Sequence, residues 1–151
     1  MQYVSYRILS LVPDITIMTP TTDGATCGST SEWRINRNLE NFIDGSGDTC
    51  SLLPYEKSRL RFEFKTSKKI FTVTIKGHVK CSSQYMELIY DPLFVCTGIC
   101  DKLCLAQEQQ NDSCVYTCNT DGQMVKAIDM VFEKSSEVCE IIFQWCCFSQ
   151  W

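Results

Sequence analysis

Residues 60–65, Leu60-Arg61-Phe62-Glu63-Phe64-Lys65, alternate apolar and charged side chains, and residues 71–76, Phe71-Thr72-Val73-Thr74-Ile75-Lys76, repeat the alternation after Ser67-Lys68-Lys69. A period of two puts every second side chain on the same face of an extended backbone, so the pattern implies an antiparallel pair of strands with one buried face. Working outward, Tyr85–Tyr90, Ser113–Thr117, Val125–Glu133 and Val138–Trp145 read as further strands, each bounded by Gly, Asp, Asn, Pro or Ser clusters. Helical periodicity is weak, with one turn expected near Asn36–Phe42. Short strands at regular spacing predict an all-β chain, an antiparallel β-sandwich or barrel.

The first 32 residues mix β-prone runs, Tyr3–Leu11 and Ile15–Met18, with turn-rich Pro20-Thr21-Thr22-Asp23-Gly24 and Gly28-Ser29-Thr30-Ser31. They read as a strand and a long loop of the same domain, with the body of the sandwich over residues 33–151 and a cysteine-rich insert at 96–118. There is no internal repeat, low-complexity tract or interdomain linker. A chain of 151 residues suits one core. Fourteen Lys and Arg against eighteen Asp and Glu give a net charge of −4, and no basic stripe interrupts the acidity, which disfavours nucleic acid and anionic membrane as partners. No run of about 18 uncharged apolar residues is present, so insertion in a bilayer is not expected. Arg7 and Asp14 interrupt the apolar N-terminal stretch, so a cleavable leader is not expected in this chain.

Eleven cysteines are the most informative count. That density points to an oxidising, extracellular setting and a disulfide framework. A zinc site would need paired Cys-x2-Cys knuckles with His support, whereas the single histidine is His78 and the near pairs are Cys-x3-Cys and Cys146-Cys147. The sequon Asn111-Asp112-Ser113 marks a candidate glycosylation site on an exported protein. Between Cys81 and Cys118, six cysteines allow fifteen pairings, of which a nested hairpin, Cys96–Cys118 with Cys100–Cys114, is the expectation adopted. An odd total leaves at least one cysteine unpaired within the chain, open to an interchain link in a disulfide-linked oligomer or to a bond with a segment outside this sequence. Cys27, Cys146 and Cys147 are the residues left over.

Residues 41–50, Asn41-Phe42-Ile43-Asp44-Gly45-Ser46-Gly47-Asp48-Thr49-Cys50, form a loop by composition, rich in oxygen donors and in glycines that let carbonyls turn inward. A hard cation such as Ca²⁺ takes six to eight oxygens from such a loop, and an ordinary Asx-turn is the alternative. The spacing is not that of an EF-hand.

The order of features, Trp33-Arg34, then Asn41-x-x-Asp44-Gly45 and Thr49-Cys50, then alternating strands, then Val138-Cys139-Glu140-Ile141, resembles the galactose-binding-like jelly roll of discoidin domains, coagulation-factor C-type domains and F-type fucose-binding lectins. The resemblance covers about Trp33–Trp145. It implies a structural Ca²⁺ held by carboxylates of Asp44 and Glu140, carbonyls of Asn41, Ser46 and Cys139, and a carbonyl or hydroxyl of Thr49. It also implies a Cys50–Cys139 bridge. By chain entropy such a bridge, closing a loop of about 90 residues, contributes on the order of 4 kcal/mol.

The departures bear on function. The fucose motif requires a His and then an Arg-x-Asp stretch about two dozen residues on, with a further basic residue. His78 stands in a matching place, but the later stretch reads Cys100-Asp101-Lys102-Leu103-Cys104. Lys80, Asp101 and Lys102 are the substitutes this chain offers, so His78, Lys80, Asp101 and Lys102 are the candidate ligand-binding residues. For His78 the ordinary reading is a solvated loop residue. Stapled loops around the insert lower the entropic cost of binding.

The resulting expectation is an extracellular, non-enzymatic recognition module that binds a glycan or a glycoprotein partner and carries structural calcium. The alternative is a disulfide-linked structural or adhesion domain of a matrix, gamete or receptor protein with no sugar binding. Catalysis is disfavoured: His78 with Cys81 is the single local Cys–His pair, and no nucleophile elbow, metal triad or phosphate loop accompanies it.

Overall fold

A computed structural model describes residues 2–6, 15–21, 33–45, 49–53, 58–90, 104–106, 112–120 and 122–149. The strands are β1 (Gln2–Tyr6), β2 (Ile15–Pro20), β3 (Trp33–Ile35), β4 (Ser51–Leu53), β5 (Ser58–Lys68), β6 (Ile70–His78), β7 (Gln84–Tyr90), β8 (Cys104–Ala106), β9 (Ser113–Cys118), β10 (Val125–Phe132) and β11 (Ser136–Ser149). Two 3₁₀ helices, Arg37–Ile43 and Cys81–Ser83, complete the described elements. One antiparallel sheet runs β1-β11-β6-β9-β8, with β4 also pairing β11, and the other runs β3-β2-β5-β10-β7. This is the expected all-β jelly-roll sandwich.

The two alternating segments that reveal the strands do not pair with each other. β5 lies between β2 and β10, and β6 lies in the opposite sheet between β11 and β9. Ser67-Lys68-Lys69 offers no residue suited to the positive φ of a tight hairpin. β5 instead continues to Lys68, and Lys69 alone links it to β6 across the sandwich.

The core lies between the inner faces of the sheets. Leu60, Phe62 and Phe64 of β5 meet Val73 and Ile75 of β6, Met130 and Phe132 of β10, and Ile141, Phe143 and Trp145 of β11. Phe143 packs against Phe62 and Phe64 with ring centroids 5.3 and 5.4 Å apart, and Phe64 meets Trp145 edge-on at 6.4 Å. Burying a side chain such as Phe62 contributes about 2 kcal/mol, and tilted ring contacts add to it. Phe143 and Trp145 of β11 are therefore core residues.

On the outer face of the second sheet, alternation predicts solvated charges, yet the structure buries them. Asp129 of β10 stands in register with Arg61 of β5 and Glu87 of β7. It is fully buried, and it receives hydrogen bonds from Arg61 at 2.6 and 3.0 Å and from Arg59 at 2.9 Å. Arg59 also reaches Glu87 at 2.8 Å, and the Arg61 guanidinium stacks 3.9 Å over the Trp33 ring. Two cations against two carboxylates make the patch neutral, which is the condition for burying it.

Candidate functional site

Three disulfides are present among the described residues: Cys50–Cys139, Cys81–Cys114 and Cys104–Cys118. The nested pairing Cys96–Cys118 with Cys100–Cys114 is therefore corrected. Cys114, Tyr116 and Cys118 occupy alternate positions of β9 and all turn to the core. From there Cys118 stands opposite Cys104 in the β8–β9 register, and Cys114 meets Cys81 of the second 3₁₀ helix. Cys96 and Cys100 lie outside the described residues.

The Cys81–Cys114 bridge stands beside a cavity of about 340 Å³. Its walls are the end of β6 and the residues after it, Gly77 to Lys80, together with Ser83, Asp112 and the β10–β11 turn at Lys134 to Ser136. It is an open depression rather than an enclosed cavity. His78, Lys80, Asp112 and Lys134 are exposed at this mouth, while Ser83 and Ser136 are buried.

Hydrogen bonds fix the walls to one another. Val79 N–H donates to the Gly77 carbonyl at 3.0 Å, Gly77 N–H to the Asp112 carbonyl at 2.8 Å, and Ser83 N–H to the Lys80 carbonyl at 2.9 Å. Glu133 N–H donates to the Ser83 carbonyl at 2.8 Å, tying the β10–β11 turn to the second 3₁₀ helix. Under this frame the buried Tyr116 hydroxyl donates to the Cys81 carbonyl at 2.8 Å and accepts from Gln84 Nε2 at 2.6 Å. Burial pushes the Tyr116 hydroxyl up from 10.0 to about 12, against a smaller lowering by the Gln84 hydrogen bond. Gly77 has φ +143°, and a Cβ there would collide with the Glu137 carbonyl oxygen. Glycine lets β6 run this close to β11 at the cavity edge. The walls are thus fixed before any ligand arrives, which reduces the entropic cost of binding.

Of the candidate ligand residues, His78 and Lys80 line this cavity, whereas Asp101 and Lys102, like the sequon residue Asn111, lie outside the described residues. Asp112, Lys134, Ser135 and Ser136 join them unannounced. The polar run Glu133-Lys134-Ser135-Ser136 reads in sequence only as a strand boundary, and its placement beside His78 follows from the pairing of β11 with β6, where Glu137 opposes His78.

The proposed calcium loop begins in regular structure. Asn41 belongs to the first 3₁₀ helix, whose C-cap is Asp44, and the helix packs against β11. Ser46 lies outside the described residues, and Asp44 and Thr49 are exposed. The Cys50–Cys139 disulfide ties the loop to β11 one residue before Glu140. Asn41 Nδ2 donates to Ser51 Oγ at 3.0 Å, which leaves the buried Asn41 Oδ1 with no hydrogen-bond partner. Glu140 is buried, with Oε1 3.7 Å from Lys76 Nζ. A buried oxygen acceptor without a donor is the kind of atom a hard cation could satisfy, and the Lys76 ammonium is a positive charge already beside Glu140. Sequence reasoning missed Glu137, whose carboxylate lies within 4.8 Å of the Cys50 and Cys139 sulfurs. Those sulfurs are joined to each other, so the trio is not a thiolate metal site.

No protein-family model matches the sequence, and no curated protein matches it. Solved structures do. CpGH89CBM32-6 produced by Clostridium perfringens superposes with a TM-score of 0.58 at 13% identity, over 89% of this chain and 96% of that one. The family 32 CBM from C. perfringens NanJ, in complex with galactose, gives 0.59 at 11% identity, over 93% and 99%. A mutant of the lectin binding domain of lectinolysin, complexed with Lewis b, gives 0.54 at 6% identity, over 91% and 94%. At such identities the likeness is one of architecture, and the full span of both chains makes it a likeness of whole domains. The chain has the galactose-binding-like jelly-roll fold.

Proposed function

We propose that this protein is an extracellular, non-catalytic glycan-binding module whose ligand occupies the cavity between the end of β6 and the β10–β11 turn. The observation that carries the reading is that His78 and Lys80 converge there with Asp112 and Lys134 on a backbone pinned by the Cys81–Cys114 bridge. Hydroxyl-rich ligands are recognised by several fixed donors and acceptors at once, and this wall supplies an imidazole, two ammonium groups, a carboxylate and serine hydroxyls. Support comes also from the fold, which solved structures complexed with galactose and Lewis b share. Disulfides buried in the core suit an oxidising compartment. A glycan array probed with the full chain and with His78→Ala tests the reading: binding by the parent that the variant loses supports it, and equal binding by both removes the cavity as the site.

A structural Ca²⁺ belongs to the same reading. Asn41 Oδ1, Asp44, Thr49, Glu140 and the Cys139 carbonyl are the donors that would hold it, with Ser46 as a further donor from the loop. The unpartnered Asn41 Oδ1 supports it. Bound there, the ion would brace the first 3₁₀ helix against β11 and leave the cavity chemistry to the protein's own side chains.

A further inference from the structure

The cavity differs from the rest of this acidic chain. Two lysines and one aspartate line it, whereas the whole protein carries a net charge of −4. Among the described residues, no ion pair holds Lys80 or Lys134. Two like charges held at one mouth repel each other unless an anion joins them. Among the described residues no Trp, Tyr or Phe lines the walls, so these walls offer the apolar face of a neutral hexose no ring to stack on. Tyr116, whose hydroxyl is spent on Cys81 and Gln84, is buried in the core. Recognition here must come from charge and hydrogen bonds. The lysine backbones are tied into the frame: the Lys80 carbonyl accepts from Ser83 N–H, and the Lys134 carbonyl accepts from Ser136 Oγ at 3.1 Å.

We propose that the ligand is an anionic saccharide, one whose carboxylate or sulfate ester contacts Lys80 and Lys134 while its hydroxyls meet His78, Asp112 and the serines of the turn. The proposal rests on the reading that this cavity is the glycan site and names the class of glycan it takes. Charge-assisted hydrogen bonds of this kind are roughly twice as strong as neutral ones. Because the lysines are exposed, the attraction weakens with salt.

The test is titration calorimetry of the full chain with oligogalacturonate as carboxylate probe, chondroitin sulfate and its chemically desulfated form as sulfate-ester probes, and a neutral galacto-oligosaccharide. Lys80→Ala and Lys134→Ala should each weaken the anionic ligand about tenfold, the size expected for one charge-assisted contact. Lys→Arg at either position should restore most of the loss, and Lys65→Ala, at an exposed position of β5, should change affinity less than twofold. Loss of binding on desulfation assigns the sulfate ester, and retention with strong oligogalacturonate binding assigns the carboxylate. Either supports the proposal. Preference for the neutral oligosaccharide, with loss in His78→Ala but indifference to both lysine variants, overturns the anionic proposal and leaves glycan binding standing. No binding to any of the four probes overturns the anionic proposal, and the glycan array then decides whether the glycan reading stands. Circular dichroism of each variant confirms the fold, and because Lys80 and Lys134 are exposed their removal should not disturb it.

Discussion

The hydroxyl of Tyr116, in the middle of β9, donates to the carbonyl of Cys81 at 2.8 Å, so that one buried phenol holds up the segment that leads out of the candidate ligand cavity. Tyr116→Phe leaves that carbonyl and the Gln84 amide without their partner. The variant should lose about 1–2 kcal/mol of stability in urea denaturation and bind ligand more weakly than the parent. Unchanged stability would show that the phenol is not the support.

The same phenol sets an alkaline limit. Its folded-state value, about 12, lies above the 10.0 of an unfolded tyrosine, so folding favours the protonated form. The associated stability is fully present below pH 10, starts to fall as unfolded tyrosine ionises, and is lost by about pH 12. Between those values the parent should lose stability more steeply than Tyr116→Phe. Parallel thermal melts across that range measure the difference.

Gly77 stands where a Cβ would strike the Glu137 carbonyl, at φ +143°. Gly77→Ala combines backbone strain with a forced shift of β11, and should cost about 3 kcal/mol or more. A chemical denaturation midpoint within error of the parent would contradict the packing at this edge.

Asp129 is fully buried beneath Arg59 and Arg61. Removing it strands two guanidinium groups, so Asp129→Ala should destabilise by about 3–5 kcal/mol, while Lys65→Ala at an exposed position should cost less than about 0.5 kcal/mol. Equal small losses in both would show that the patch is not dry.

Calcium addition should raise the melting temperature and chelation should lower it, with the response abolished in Asp44→Asn/Glu140→Gln. The Asn41 Oδ1 that lacks a donor is the atom whose satisfaction this shift would report. A melting temperature indifferent to both additions would remove the ion.

Much of this fold is legible from alternation alone. The runs around Phe62, Val73, Ile128 and Ile141 are strands because every second residue is a core former, and β5, β6, β10 and β11 appear where the pattern puts them. What alternation cannot convey is which sheet a strand enters. β5 and β6 follow one another in sequence with Lys69 alone between them, yet face each other across the core, because pairing partners are set by residues far along the chain. The burial of Arg59, Arg61 and Asp129 is invisible to alternation for the same reason, since only the lateral register brings them together, with Trp33 stacked on Arg61. The Cys50–Cys139 link came from a resemblance. Cys81–Cys114 and Cys104–Cys118 did not, although period two along β9 already places Cys114 and Cys118 on one inward face and directs them to separate partners. Half the cavity was visible in His78 and Lys80, and the other half, Asp112 and Lys134, arrives only through strand pairing.

On the proposed function, ligand binds between the end of β6 and the β10–β11 turn. An amide chemical-shift titration of the isotope-labelled protein with a bound glycan tests it directly. The largest shifts should fall on His78, Lys80, Asp112 and Lys134 to Ser136, and shifts confined to other strands, with these amides still, would contradict the account.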